Sequence, residues 1–217
     1  MRSASEKKIA NRALQAINRL YCRVYHQLDV LSPCTLPCEG PAILVCNHTS
    51  GLDPLLIQSV CPRMIIWMMA AEYYNLRGIK WVYETIEAIP VARSGRDMAA
   101  TRAAMRALRD GRILGIFPEG RIETSRELLP FQSGVALIAE KSQAAVYPVF
   151  LDGTQRNLPM IPALGSPQRA CIAFGPPIPP DSRPESLEEK TAAVQAGVEG
   201  LKIFTDSCHH PLKSAND

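Results

Sequence analysis

The sequence lacks any apolar run long enough to cross a bilayer. A spanning helix needs about 20 apolar residues, and the longest clean run among these 217 is residues 65–71. The basic N-terminus is not followed by the continuous apolar segment of a secretory signal. The cysteines have no pairing rhythm, and seven is an odd number. That argues against a disulfide framework and for reduced thiols in a cytosolic setting. Cys34 and Cys38 are candidates for half a metal site, with Cys208, His209 and His210 as the other half. Structural zinc sites usually show two close ligand pairs in ordered turns. The second cluster lies in a polar tail expected to fray, so no metal is expected. There is no internal repeat. The body is not basic and shows no aromatic-basic interleaving, so nucleic acid is not an expected partner.

What is present is ordinary for a folded enzyme-sized domain. The chain is 47% hydrophobic and 21% charged, enough to bury a sizeable core. Its length suits one α/β domain with helical ends. The net charge of +3 is unevenly spread. Residues 1–27 carry six Lys and Arg against Glu6, a net +5, which leaves −2 for the rest. A basic arm on a nearly neutral body points to an anionic partner at one end. In that arm Ile9, Ala13, Ile17, Leu20, Val24 and Leu28 recur at spacings of three and four, the period of an amphipathic helix. Such a helix either packs on the domain or touches anionic lipid head groups. Both hold if the stripe is docked and the charges face outward.

The rest alternates short apolar strands with helical segments. Strands are expected at residues 42–46, 64–69, 88–91, 113–117, 145–151 and 169–174. Helices are expected at 53–60, 72–87, 97–110 and 131–141, with a last one running to about Thr205. Asp53-Pro54 reads as a helix start with Asp at the cap, and Gly111 as a stop. The alternation predicts an α/β fold: a largely parallel central sheet flanked by helices, with the basic amphipathic helix in front. The expected division is 1–31 for that helix, 32–206 for the main domain and 207–217 for a polar tail.

Ligands gather at the carboxyl ends of strands in open α/β sheets, and three polar stretches fall there: NHTSGLD (47–53), PVARSGR (90–96) and FPEGR (117–121). His48 can take a proton from a hydroxyl if a partner orients its other ring nitrogen, and Asp53 is placed to do so. Alternatively, His48 is a satisfied loop histidine and Asp53 a helix cap. Arg93, Arg96 and Arg121 are phosphate-binding candidates, or surface charges. Gly95 and Gly120 permit close backbone approach to a ligand. Glu119 either binds a substrate hydroxyl, anchors an arginine, or fixes its turn.

Together these stretches resemble the glycerolipid acyltransferase family, of the lysophosphatidic acid acyltransferase type. Asn47, His48, Ser50 and Asp53 match its Asn-His-x-Ser-x-x-Asp block. Residues 89–93 resemble its second block, Phe117 to Arg121 its Phe-Pro-Glu-Gly block, and Val146-Tyr147-Pro148-Val149 its fourth. The order is the family's, across residues 42–151. Three departures bear on the acceptor: Arg121 follows Gly120 directly, Ala92 precedes Arg93, and a lysine common near 70–73 is absent.

The resemblance implies acyl transfer from acyl-CoA or acyl carrier protein to the hydroxyl of a lysophospholipid, most simply 1-acylglycerol-3-phosphate. His48 and Asp53 would be catalytic. Arg93, Arg96, Glu119, Gly120, Arg121, Asn47 and Ser50 would bind substrate, with no bound cofactor. Other acceptors fit as well, including a lyso-aminolipid, and so do a thioesterase-like hydrolase and a non-catalytic lipid-binding module. The expected location is peripheral, on the cytoplasmic face of an anionic membrane. The N-terminal helix and exposed Trp67, Trp81 or Met side chains would make the contact.

Overall fold

The computed structural model describes residues 4–76, 78, 80–92, 97–122, 127–182 and 186–209. Arg93 and Arg96 lie outside these residues. A seven-stranded sheet runs in the order β1-β7-β6-β2-β5-β3-β4. Its strands are β1 (Asp29–Val30), β2 (Ala42–Cys46), β3 (Ile65–Ala70), β4 (Ile89–Val91), β5 (Ile113–Ile116), β6 (Ala145–Asp152) and β7 (Cys171–Phe174). Every pairing is parallel except that between β6 and β7.

The sequence of β2, Ala-Ile-Leu-Val-Cys, is buried at all five positions, as a strand covered on both faces requires. It sits between β5 and β6, with Ile43 opposite Leu114 on one side and Val146 on the other. Alternation along β2 divides the core. Leu44 and Cys46 face a cluster containing Leu56, Trp67, Val149 and Ile172. Ile43 and Val45 face a second cluster containing Ala104, Leu108, Ile138 and Val198.

The first face is covered by α1 (Ala4–Val24) and α2 (Asp53–Val60). The second is covered by α5 (Met98–Arg109), α6 (Gly134–Ser142) and α8 (Leu187–His209). Asp97 caps α5 by accepting from the N–H groups of Ala99 and Ala100 at 2.9 Å, and Gly111 follows with φ +68°, a conformation suited to glycine after a helix.

Several elements depart from expectation. The segment 72–87 is two short helices, α3 (Ala71–Tyr74) and α4 (Lys80–Thr85). β1 and the five-residue α7 (Met160–Leu164) were not foreseen. α8 continues to His209, past the expected start of a frayed tail at 207. Trp67 is 4% exposed: it is a core residue and no membrane contact, whereas Trp81 is 57% exposed.

The largest correction concerns α1. Ile17, Leu20 and Val24, part of the stripe expected either to dock on the domain or to meet lipid, are 66–67% exposed. The helix docks through its other side. Asn18 Nδ2 donates to the carbonyl of Leu55 at 2.8 Å, Arg19 Nε to that of Ser59 at 3.1 Å, and Cys22 is fully buried. The Ser59 carbonyl lies in the last turn of α2, where no helical partner follows, so a polar donor suits it, while Asn18 meets the Leu55 carbonyl within the helix.

Candidate active site

β2, β5 and β6 run parallel, so their carboxyl ends share one edge of the sheet, and three loops meet there. The loop after β2 carries residues 47–53. Asn47 anchors it: its side chain donates to the carbonyl of Leu151 at 2.8 Å and accepts from the Leu151 N–H at 2.9 Å. The side chain thus continues the β2–β6 ladder where the backbone leaves it. Ser50 is fully buried, accepts from the N–H of Leu52 and donates to the carbonyl of Leu158. Both were expected to bind substrate. In this structure the Asn47 side chain bonds β6, and that of Ser50 bonds Leu52 and Leu158.

Asp53 is fully buried at the first residue of α2. Its carboxylate does not cap that helix. It reaches back into the loop, where Oδ2 accepts from the N–H of Thr49 at 2.7 Å, the N–H of Ser50 at 2.9 Å and His48 Nδ1 at 2.9 Å. A buried carboxylate needs such donors, and the amino end of a helix favours its charge. A carboxylate has no hydrogen to give, so the shared proton is on Nδ1 and the lone pair on Nε2.

The imidazole lies flat on Phe117, with ring centroids 4.1 Å apart at 17°, and Phe117 lies on Trp67 at 4.9 Å and 8°. Gly115 makes room for this stack: a Cβ there would stand 2.5 Å from the Trp67 ring. His48 retains 19% of its side-chain exposure. The ring is therefore fixed by a hydrogen bond at one nitrogen and by stacking on one face, and it remains open to solvent.

The loop after β5 is joined to the same residue. Glu119 is 4% exposed, and its Oε1 accepts from the backbone N–H of His48 at 3.1 Å. Gly120 follows at φ +69°, with the Gln132 amide packed where a Cβ would go. Arg121 is exposed at the end of this turn. Beside Glu119 lies a small pocket with room for about one water molecule, lined also by Asn47, Glu127, Leu128, Phe150, Arg156 and Lys202.

The loop after β6 completes the rim. Thr154 is hydrogen-bonded to Thr49, the N–H of Asn157 donates to the carbonyl of Thr49 at 2.9 Å, and the N–H of Gly51 donates to that of Leu158 at 3.0 Å. A Cβ on Gly51 would stand 2.4 Å from the backbone nitrogen of Met160. Sequence reasoning missed this third loop. Its position after a strand and its charged Arg156 were the available signals. It also missed Trp67 as support for the imidazole, because pairing with Phe117 is set by strand register.

A family model described as Acyltransferase matches residues 23–152. The 1-acyl-sn-glycerol-3-phosphate acyltransferase of Bacillus subtilis is 27% identical over 119 residues, covering 54% of this chain and 59% of that protein. The protein of that name from Borreliella burgdorferi is 31% identical over 126 residues, covering 55% and 48%. The chain thus matches roughly half the length of these curated relatives. The crystal structure of the LPA acyltransferase PlsC from Thermotoga maritima shares the fold, with a TM-score of 0.76 at 21% identity over 94% of this chain and 84% of that one. With the matched region covering more than half of the chain and taking in the loops after β2 and β5, the chain belongs to the Acyltransferase family.

Proposed function

We propose that this protein transfers a fatty acyl group from a thioester, acyl-CoA or acyl carrier protein, to the free hydroxyl of a lysophospholipid. The favoured acceptor is 1-acylglycerol-3-phosphate, and the product is phosphatidic acid. The observation that carries this reading is the 2.9 Å bond from His48 Nδ1 to buried Asp53, which leaves Nε2 to accept a proton.

In the proposed reaction, Nε2 takes the hydroxyl proton as the oxygen attacks the thioester carbonyl. Such general-base help contributes about 10²–10⁴-fold. Asp53 holds the tautomer and stabilises the imidazolium. The tetrahedral intermediate collapses by expelling the thiolate, which recovers the proton from Nε2. The acyl group never becomes bonded to the protein. Arg121, with Arg93 and Arg96, would hold the acceptor phosphate. Glu119 supports the loop that carries His48.

The acceptor is a lipid, and among the described residues no helix is long and apolar enough to cross a membrane. The exposed Ile17, Leu20 and Val24, next to the exposed bases Arg12 and Arg23, support peripheral contact with an anionic bilayer, and the proposed site of that contact is its cytoplasmic face.

The test is thioester consumption by purified protein with and without lysophosphatidic acid. Expected are acceptor-dependent release of free thiol and formation of phosphatidic acid. Both should be lost in His48→Ala, which should keep its circular dichroism spectrum. Thiol release that ignores the acceptor would identify a hydrolase and overturn the proposal, as would normal turnover by His48→Ala.

A further inference from the structure

The cysteines of the connector between β1 and β2 play no part in the proposed acyl transfer, and the structure pairs one of them unexpectedly. Cys34 Sγ stands 3.9 Å from Cys61 Sγ, and the two thiols share a hydrogen bond. Cys61 is fully buried and forms the C-cap of α2. Cys34 is half-buried and packs on the same core cluster. Cys38, which the spacing had suggested as a fellow metal ligand, is exposed.

The contact is held in place from both sides. Ser32 Oγ donates to the carbonyl of Phe174 and Thr35 Oγ1 to that of Gly175, each at 2.8 Å. Arg63, two residues beyond Cys61, donates to the carbonyls of Pro37 at 3.0 Å and Gly40 at 2.9 Å. These bonds tether the connector to the sheet on one flank and to the end of α2 on the other. A disulfide needs its sulfurs about 2.05 Å apart, so the pair at 3.9 Å must close by about 1.9 Å to bond.

We infer that Cys34 and Cys61 form a reversible oxidation site, in which Cys34 reacts first with hydrogen peroxide and Cys61 resolves the product to an intramolecular disulfide. The Cys34 thiolate attacks one peroxide oxygen, gaining a sulfenic hydroxyl as hydroxide leaves and is protonated to water. The Cys61 thiol then attacks the sulfenic sulfur, loses its proton and expels a second water. Two thiols are oxidised and one peroxide is reduced. The order follows from chemistry and access. The hydrogen bond it shares with Cys61 brings the Cys34 thiol down to about 7, against the effect of burial. The bond to Cys34, followed by burial, drives the Cys61 thiol the opposite way. The thiolate is the reactive form, and Cys34 is the sulfur that solvent reaches. The sulfurs lie at the carboxyl end of α2, roughly 12 Å along an eight-residue helix from Asp53 at its start, so the modification does not depend on the catalytic reading.

The experiment is peptide mapping by mass spectrometry, without reduction, of the full chain after brief exposure to one equivalent of hydrogen peroxide. A Cys34–Cys61 linked peptide is expected, 2 Da lighter than the two thiol peptides together and reversed by dithiothreitol. In Cys61→Ser, Cys34 should stop at sulfenic acid, trapped as its dimedone adduct. The wild-type map stands by itself if that variant does not fold. Oxidation confined to the exposed Cys38 and Cys208 would overturn the inference, as would a Cys34–Cys38 link with Cys61 still free.

Discussion

The backbone N–H of His48 donates to Oε1 of Glu119, a residue 71 positions later in the chain. Two separate sequence blocks are thereby joined at the proposed base. Glu119→Ala removes the acceptor and leaves a buried N–H unsatisfied, at a cost of about 1–3 kcal/mol. We expect a lower melting temperature and kcat reduced about tenfold or more. Glu119→Gln keeps an acceptor oxygen and should recover most of the stability. Steady-state kinetics with melting curves check this. An alanine variant with normal kcat would remove Glu119 from the positioning of His48.

Gly115→Ala should disturb the site without touching it. The added methyl meets the Trp67 ring, and overpacking of this kind costs about 1–3 kcal/mol. Trp67 supports Phe117, which supports the imidazole. The expected result is shifted tryptophan fluorescence, a reduced melting temperature and a kcat several-fold lower. A loss of stability with kcat intact would show that the stack does not orient His48.

The exposed stripe on α1 makes a separable prediction. Ile17→Glu with Leu20→Glu leaves the docking residues Asn18, Arg19 and Cys22 in place. An apolar side chain of this size contributes roughly 1.5–3 kcal/mol when fully buried. Sedimentation with anionic vesicles should therefore fall at least tenfold, while the melting temperature stays within a few degrees. Unchanged sedimentation would place the membrane contact elsewhere.

His26 gives stability a pH dependence. It is fully buried, and burial lowers its pKa. Its Nε2 is bonded to the Tyr21 hydroxyl at 2.9 Å, and its Nδ1 has no hydrogen-bond partner among the described residues. The folded protein thus prefers the neutral ring, whereas the unfolded chain takes up a proton near pH 6.5. The stability contributed by the neutral ring is complete above about pH 6.5 and is lost as pH falls toward the lowered value. Between pH 8 and 5 the wild type should lose more thermal stability than His26→Gln, as calorimetry would show. Parallel curves for the two would eliminate this role.

The fold class was legible because local pattern sets it. The five apolar residues of β2 and the Gly111 stop each act over a few residues, and each lies where the sequence placed it. The His48–Asp53 pairing was legible for the same reason, since a loop of four intervening residues brings them together. What the sequence could not rank was which face of α1 docks. The apolar stripe was the natural choice, yet the helix turns Asn18 and Arg19 to backbone carbonyls of α2, that of Ser59 being in its open last turn.

Tertiary structure alone decided the partnerships that cross the sheet. Parallel register set Trp67 beside Gly115 and so under Phe117. Chain crossovers brought Glu119 to the N–H of His48, Thr154 to Thr49 and Cys34 to Cys61. The sequence by itself determined which residues stand at strand ends, because hydrophobic period and turn chemistry are local. Which of those residues touch depends on strand order and packing, because those distances are fixed by the whole sheet.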